Sequence, residues 1–90
     1  MMIYLDHNAT TPPEPEVVDA VIPYLRECWG NPSSIYRLGV EAKKAIEEAR
    51  DSVAAFLGAE PENIVFTSGA TESINSALHS AIIRNPNKKH

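Results

Sequence analysis

The run Ile64-Val65-Phe66-Thr67, followed at once by Ser68-Gly69-Ala70-Thr71-Glu72, constrains this chain more than any other feature. Four β-branched or aromatic residues are too few for a helix, and their nearly continuous apolar character is that of a strand covered on both faces. Small and hydroxyl-bearing residues end the run, after which Ile74, Ala77, Leu78, Ala81 and Ile82 recur at helical spacing until Asn85-Pro86-Asn87. Strand, glycine turn and helix in succession predict an α/β layered protein with residues 64–67 in a parallel sheet. A parallel sheet needs further strands, and the other candidate is residues 3–5, Ile-Tyr-Leu. The sheet is therefore expected to be completed by residues beyond His90 or by another chain, or else to stay open-edged.

Between the two strand candidates the chain reads as helical. Asp6-His7-Asn8-Ala9-Thr10-Thr11-Pro12-Pro13 is a run of turn formers whose side chains bond their own backbone, so an ordered loop is expected. Val17, Val18, Val21, Ile22, Leu25 and Cys28 form one apolar stripe, which predicts a helix over 15–27 with Pro15 in its first turn and a kink at Pro23. Gly30-Asn31-Pro32-Ser33-Ser34 breaks the pattern and offers helix-capping side chains. A second helix is predicted over 39–57. Ala42, Ile46, Ala49, Val53 and Phe56 mark its buried face, Glu41, Lys44, Glu47, Glu48 and Asp51 its solvated one, and Gly58 its left-handed stop.

Ninety residues with 43% hydrophobic and 22% charged side chains have the composition of an ordinary globular protein at the low end of domain size. One compact domain, or part of one, is expected. A formal charge of -4 with no basic cluster leaves no electrostatic footprint for nucleic acid or an anionic membrane surface. The N-terminus turns acidic at Asp6 before an apolar run long enough for a signal peptide or membrane span develops, so the cytoplasm is the expected compartment. A single cysteine, Cys28, forms no internal disulfide, in keeping with a reducing compartment. It continues the first apolar stripe and reads as a small buried hydrophobe, without a nucleophilic role. His7, His79 and His90 are too far apart in sequence to suggest a metal site, and none is expected.

Chemistry concentrates at residues 68–72. A strand-to-helix turn with glycine leaves backbone N–H groups without partners, Gly69 and Ala70 let an anion approach, the hydroxyls of Ser68 and Thr71 add donors, and the helix dipole favours negative charge. The same residues also fit a plain helix cap, with Ser68 or Gly69 at the cap and Glu72 reaching back in a capping box. Glu72 beside the turn counts against an anion. The pattern alone leaves both readings open.

Phe66-Thr67-Ser68-Gly69-Ala70-Thr71-Glu72-Ser73 resembles the phosphate turn of the cysteine desulfurases. Three further segments resemble that family in the same order: residues 3–12 its opening motif, Gly30-Asn31-Pro32-Ser33-Ser34 its second loop, and Glu48-Ala49-Arg50 with Phe56-Leu57-Gly58-Ala59 the helix between. The resemblance covers nearly the whole chain, and selenocysteine lyases and other class V aminotransferases share parts of it.

The resemblance implies part of a fold-type-I pyridoxal 5'-phosphate (PLP) transferase. Residues 1–13 would be a strand and loop of its small-domain arm, and residues 14–90 the start of its large domain, a parallel or mixed sheet with helices packed on it. It implies an enzyme that takes sulfur from L-cysteine, leaving L-alanine and an enzyme persulfide for iron–sulfur cluster assembly or other sulfur transfer. The implied partners are a second copy of the chain and a sulfur-acceptor or scaffold protein. Ala70 and Thr71, with Gly69 and Ser68, correspond to residues that hold the PLP phosphate, and Asn8, Ala9 and Thr10 to a loop near the substrate. The family's Schiff-base lysine, ring-stacking histidine, aspartate and persulfide cysteine all correspond to positions beyond His90. Lys43, Lys44, Lys88 and Lys89 lie in polar settings unsuited to a desolvated nucleophile. No catalytic residue is therefore assigned in this chain, which is expected to lack turnover by itself. Tyr36 stands where many relatives have histidine, which puts any proton-transfer or dimer-contact role of the second loop in question, and Ile74 stands where many have asparagine or aspartate, which removes a polar group near the 68–72 turn. The alternatives are a non-catalytic interaction module and another class V enzyme such as a selenocysteine lyase.

Overall fold

The computed structural model describes residues 1–88. Lys89 and His90, named above with the polar tail and the scattered histidines, lie outside the described residues. Among the described residues three helices carry the architecture, α1 (Pro15–Arg26), α2 (Arg37–Leu57) and α3 (Ala70–Arg84), with a single 3₁₀ turn at Pro61–Asn63. The chain divides into two compact units, with the boundary between Ala49 and Arg50 inside α2.

In the first unit, the opening loop closes on one carbonyl. Asp6 O accepts the Ala9 N–H at 3.0 Å, the Tyr4 hydroxyl at 2.9 Å and, less closely, the Thr10 N–H at 3.4 Å. The Tyr4 ring stands edge-on to His7 with centroids 5.1 Å apart. α1 starts on Glu14 with no side-chain cap, relying on the preset φ of Pro15 at the first position, and it carries Glu16 and Arg26 where the dipole favours them. It runs through Pro23 and ends three residues later, where the amides of Glu27 and Cys28 both turn back to Pro23 O at 2.9 and 3.0 Å. Cys28 therefore lies past the helix end and is half-buried, a correction to its expected place as the buried end of the stripe.

The 30–39 corner is tightly built. Asn31 Oδ1 accepts the Ser33 N–H at 2.9 Å and Asn31 O accepts the Ser34 N–H at 2.9 Å. A Cβ at Gly30 would collide with the Leu38 carbonyl, and one at buried Gly39 with the carbonyls of Ser34 and Asn31. Glycine is required here because backbone packs on backbone. It also lets α2 begin at Arg37, two residues earlier than the pattern predicts.

α2 ends in a Schellman motif. Gly58 takes φ +64°, Ala59 N–H reaches Ala54 O at 2.9 Å and Gly58 N–H reaches Ala55 O at 3.3 Å, so the last carbonyls are satisfied. Beyond it, in the second unit, the 3₁₀ turn returns the chain toward α2. Arg50 donates to the Ile64 carbonyl and its guanidinium lies 5.1 Å from the centre of the Phe66 ring.

Two further expectations need correction. Among the described residues there is no β-strand: residues 3–5 and 64–67 carry no ladder, although the backbone at Ile64 is extended at φ -92°, ψ 123°. A strand is defined by a neighbour's N–H and C=O groups, and β-branched residues alone supply only the extended chain. The burial of α2 is also narrower than its stripe suggests. Ala42 and Ala54 are buried and Ile46 is half-buried, whereas Ala49, Val53 and Phe56 are exposed, Phe56 to 88%. The apolar stripes of α1 and α3 are likewise exposed, from Val17 and Leu25 to Ile74, Leu78 and Ile82. Periodicity fixed the helices, but burial requires a facing surface as well.

Candidate functional site

The turn before α3 is held by two side-chain systems. On one side Thr67 Oγ1 lies 2.6 Å from Ser73 Oγ and donates to Gly69 O at 3.2 Å. On the other, one oxygen of the Glu72 carboxylate accepts both the Ser68 N–H at 2.8 Å and the Ser68 hydroxyl at 2.5 Å. The hydroxyl bond first, and the amide bond second, hold the Glu72 carboxyl below the ordinary glutamate range, against a smaller opposing effect of desolvation. Asn75 Nδ2 donates to Thr71 O at 2.9 Å one turn into the helix.

Gly69 is the N-cap of α3, and no side chain caps the helix. The helical ladder opens with Ser73 N–H to Gly69 O at 3.1 Å. The amides of Ala70, Thr71 and Glu72 therefore precede the ladder and have no acceptor within the helix. Gly69 itself is extended, with φ 163° and ψ -177°, a conformation open to any residue, and a Cβ placed there would meet nothing within 4 Å. The fold of this unit does not demand glycine at position 69. Open space beside unpaired amides, at the positive end of a helix, is what an approaching phosphate requires.

Ser68, Gly69, Ala70 and Thr71 are consecutive and lie at this one turn. The capping-box alternative is half realised: Glu72 reaches back, but to the amide before the cap, and the Ser68 hydroxyl serves the carboxylate instead of a helix amide. Ser73 was not singled out from sequence. Its pairing with Thr67 across the turn was signalled only by two hydroxyl residues flanking the glycine.

The loop containing Asn8, Ala9 and Thr10 belongs to the first unit, where the Ala9 and Thr10 amides are engaged by Asp6 O. Its side chains are exposed. Among the described residues no group of three or more His, Cys, Asp or Glu side chains is arranged to hold a metal ion. No described helix is long and apolar enough to cross a membrane.

The chain has known relatives. The Aminotransferase class-V family model matches residues 3–90, and the chain belongs to that family. Within it, a cysteine desulfurase of Trichormus azollae is 51% identical over 99% of this chain and 22% of its own length. A selenocysteine lyase of Xenopus tropicalis is 58% identical over 89% of this chain and 19% of its own length. The structure of a NifS-like protein superposes on all of this chain and 25% of that one with a TM-score of 0.92 at 42% identity. The chain thus spans about a fifth of the length of the curated relatives it matches. The likeness to the NifS-like structure supports a fold-type-I class for a chain whose described residues form helices and no sheet.

Proposed function

We propose that these residues are the amino-terminal part of a cysteine desulfurase, which takes sulfur from L-cysteine to give L-alanine and an enzyme persulfide for iron–sulfur cluster assembly or other sulfur transfer. The observation that carries the proposal is the open helix start at Ala70 and Thr71, in a chain half identical to a cysteine desulfurase. That turn fits the phosphate of PLP. The amides of Ala70 and Thr71 and the Thr71 hydroxyl would bind it, Gly69 admits it, and the dipole of α3 offsets part of its charge. When bound, PLP supplies the electron sink for chemistry on an amino-acid substrate. Residues 70–71 would orient the cofactor, and Asn8, Ala9 and Thr10 would lie near the substrate, as the resemblance of residues 3–12 to the family's opening motif implies.

In this reading residues 1–13 form an arm of the small domain and residues 14–90 open the large one, in a cytoplasmic homodimer that passes sulfur to an acceptor or scaffold protein. Residues 1–90 contain no group assigned to the covalent chemistry and are expected to show no turnover by themselves. The test is sulfide release from L-cysteine and PLP: the full-length protein should exceed the protein-free rate, and residues 1–90 alone should not. The selenocysteine lyase similarity motivates a second reading. Selenide release from L-selenocysteine with no sulfide from L-cysteine would select it.

A further inference from the structure

Glu72 and Ser68 stand in a relation that a helix cap does not explain. In a complete capping box the serine hydroxyl accepts from a helix amide while the glutamate returns to the cap amide, so both orphan donors are satisfied. Here the hydroxyl donates to Glu72 at 2.5 Å, and the carboxylate also takes the Ser68 N–H at 2.8 Å. The helix then starts one residue later, on Gly69, which has no side chain to offer. If the hydroxyl were released, Ser68 could serve as the cap itself, and the amides within its reach at the second and third helical positions would be those of Ala70 and Thr71.

We infer that Glu72 is a positioning residue that keeps the Ser68 hydroxyl off the Ala70 and Thr71 amides and so holds the phosphate turn open. The inference rests on the proposed phosphate role of residues 70–71, and it removes Ser68 from the phosphate ligands, since its hydroxyl proton and amide are both committed to the carboxylate. It also resolves the apparent conflict of a carboxylate beside an anion site. A carboxylate that accepts two bonds from Ser68 has much of its charge directed at those donors, and the same bonds lower its proton affinity, so it stays an acceptor.

The test uses the full-length protein without added PLP, with inorganic phosphate as probe, followed by ³¹P line broadening and by hydrogen exchange of the 70–72 amides. Glu72→Ala should weaken phosphate binding about fivefold to tenfold, the equivalent of one N-cap bond competing for the amides. It should also slow exchange at Ala70 or Thr71 in the absence of phosphate, as Ser68 moves onto them. Adding Ser68→Ala to Glu72→Ala should restore binding, which a merely structural defect would not allow. Glu72→Ala that binds phosphate as well as or better than the unaltered protein overturns the role of Glu72 alone. So does a double variant that binds no better than the single one. Failure of the unaltered protein to bind phosphate overturns both this inference and the phosphate reading of the turn.

Discussion

Two glycine-bearing loops of this chain, both built from small and turn-forming residues, are opposite in construction. At the 30–39 corner, glycines occupy positions where a Cβ would strike a carbonyl, and Asn31 uses its own side chain and carbonyl on the next residues of the loop. At the 68–72 turn, a Cβ on Gly69 meets nothing and the first helix amides have no internal acceptor. A glycine whose space is filled by the chain is demanded by the local fold, and a glycine whose space stays open is not. Gly-Asn-Pro-Ser-Ser and Ser-Gly-Ala-Thr-Glu do not reveal that difference as strings.

Substitutions would break or sharpen the contrast, and all are best made in the full-length protein. Gly39→Ala should have the largest effect, about 3 kcal/mol of stability lost in urea unfolding, because the obstructing atoms are backbone. A loss under about 0.5 kcal/mol would mean that the corner yields and the contrast is not real. Gly58→Ala should cost about 1 kcal/mol by forcing a side chain into left-handed backbone at the Schellman motif. Gly69→Ala should change stability by less than about 0.5 kcal/mol while weakening inorganic phosphate binding, as its methyl group enters the open space. If it unfolds the protein, position 69 belongs with 30 and 39.

The smallest effect concerns pH. The Glu72 carboxyl is held below the ordinary glutamate range, so its bonds to Ser68 contribute fully above that range and are lost as pH falls through the lowered value. Exchange of the Ser68 amide, corrected for intrinsic rates, should lose protection over that acid window. Protection that is lost above the ordinary range instead would contradict the Glu72 bond.

The three helices were legible because their stripes, caps and stops are local: Pro15 and Gly58 fall where the pattern placed a start and an end. The turn before α3 was legible for the same reason, as residues 68–72 are consecutive. What failed was non-local. Residues 64–67 have strand composition, but pairing depends on residues far away in sequence or in another chain, and Phe56 sits on a correct stripe with nothing over it. The Ser68 hydroxyl could equally have capped the helix or served Glu72, and only the geometry distinguishes the two.

The exposed stripes of α1 and α3 have a calorimetric consequence. Unfolding normally adds about 12–15 cal/mol/K of heat capacity per residue, because apolar surface passes from a dry interior into water. Val17, Leu25, Leu78 and Ile82 already face solvent, and among the described residues Ala42 and Ala54 are the buried apolar side chains. Heating residues 1–90 in isolation should therefore give a heat-capacity increment well below that figure and a broad transition. An increment near that figure would instead mean that those side chains are covered in solution.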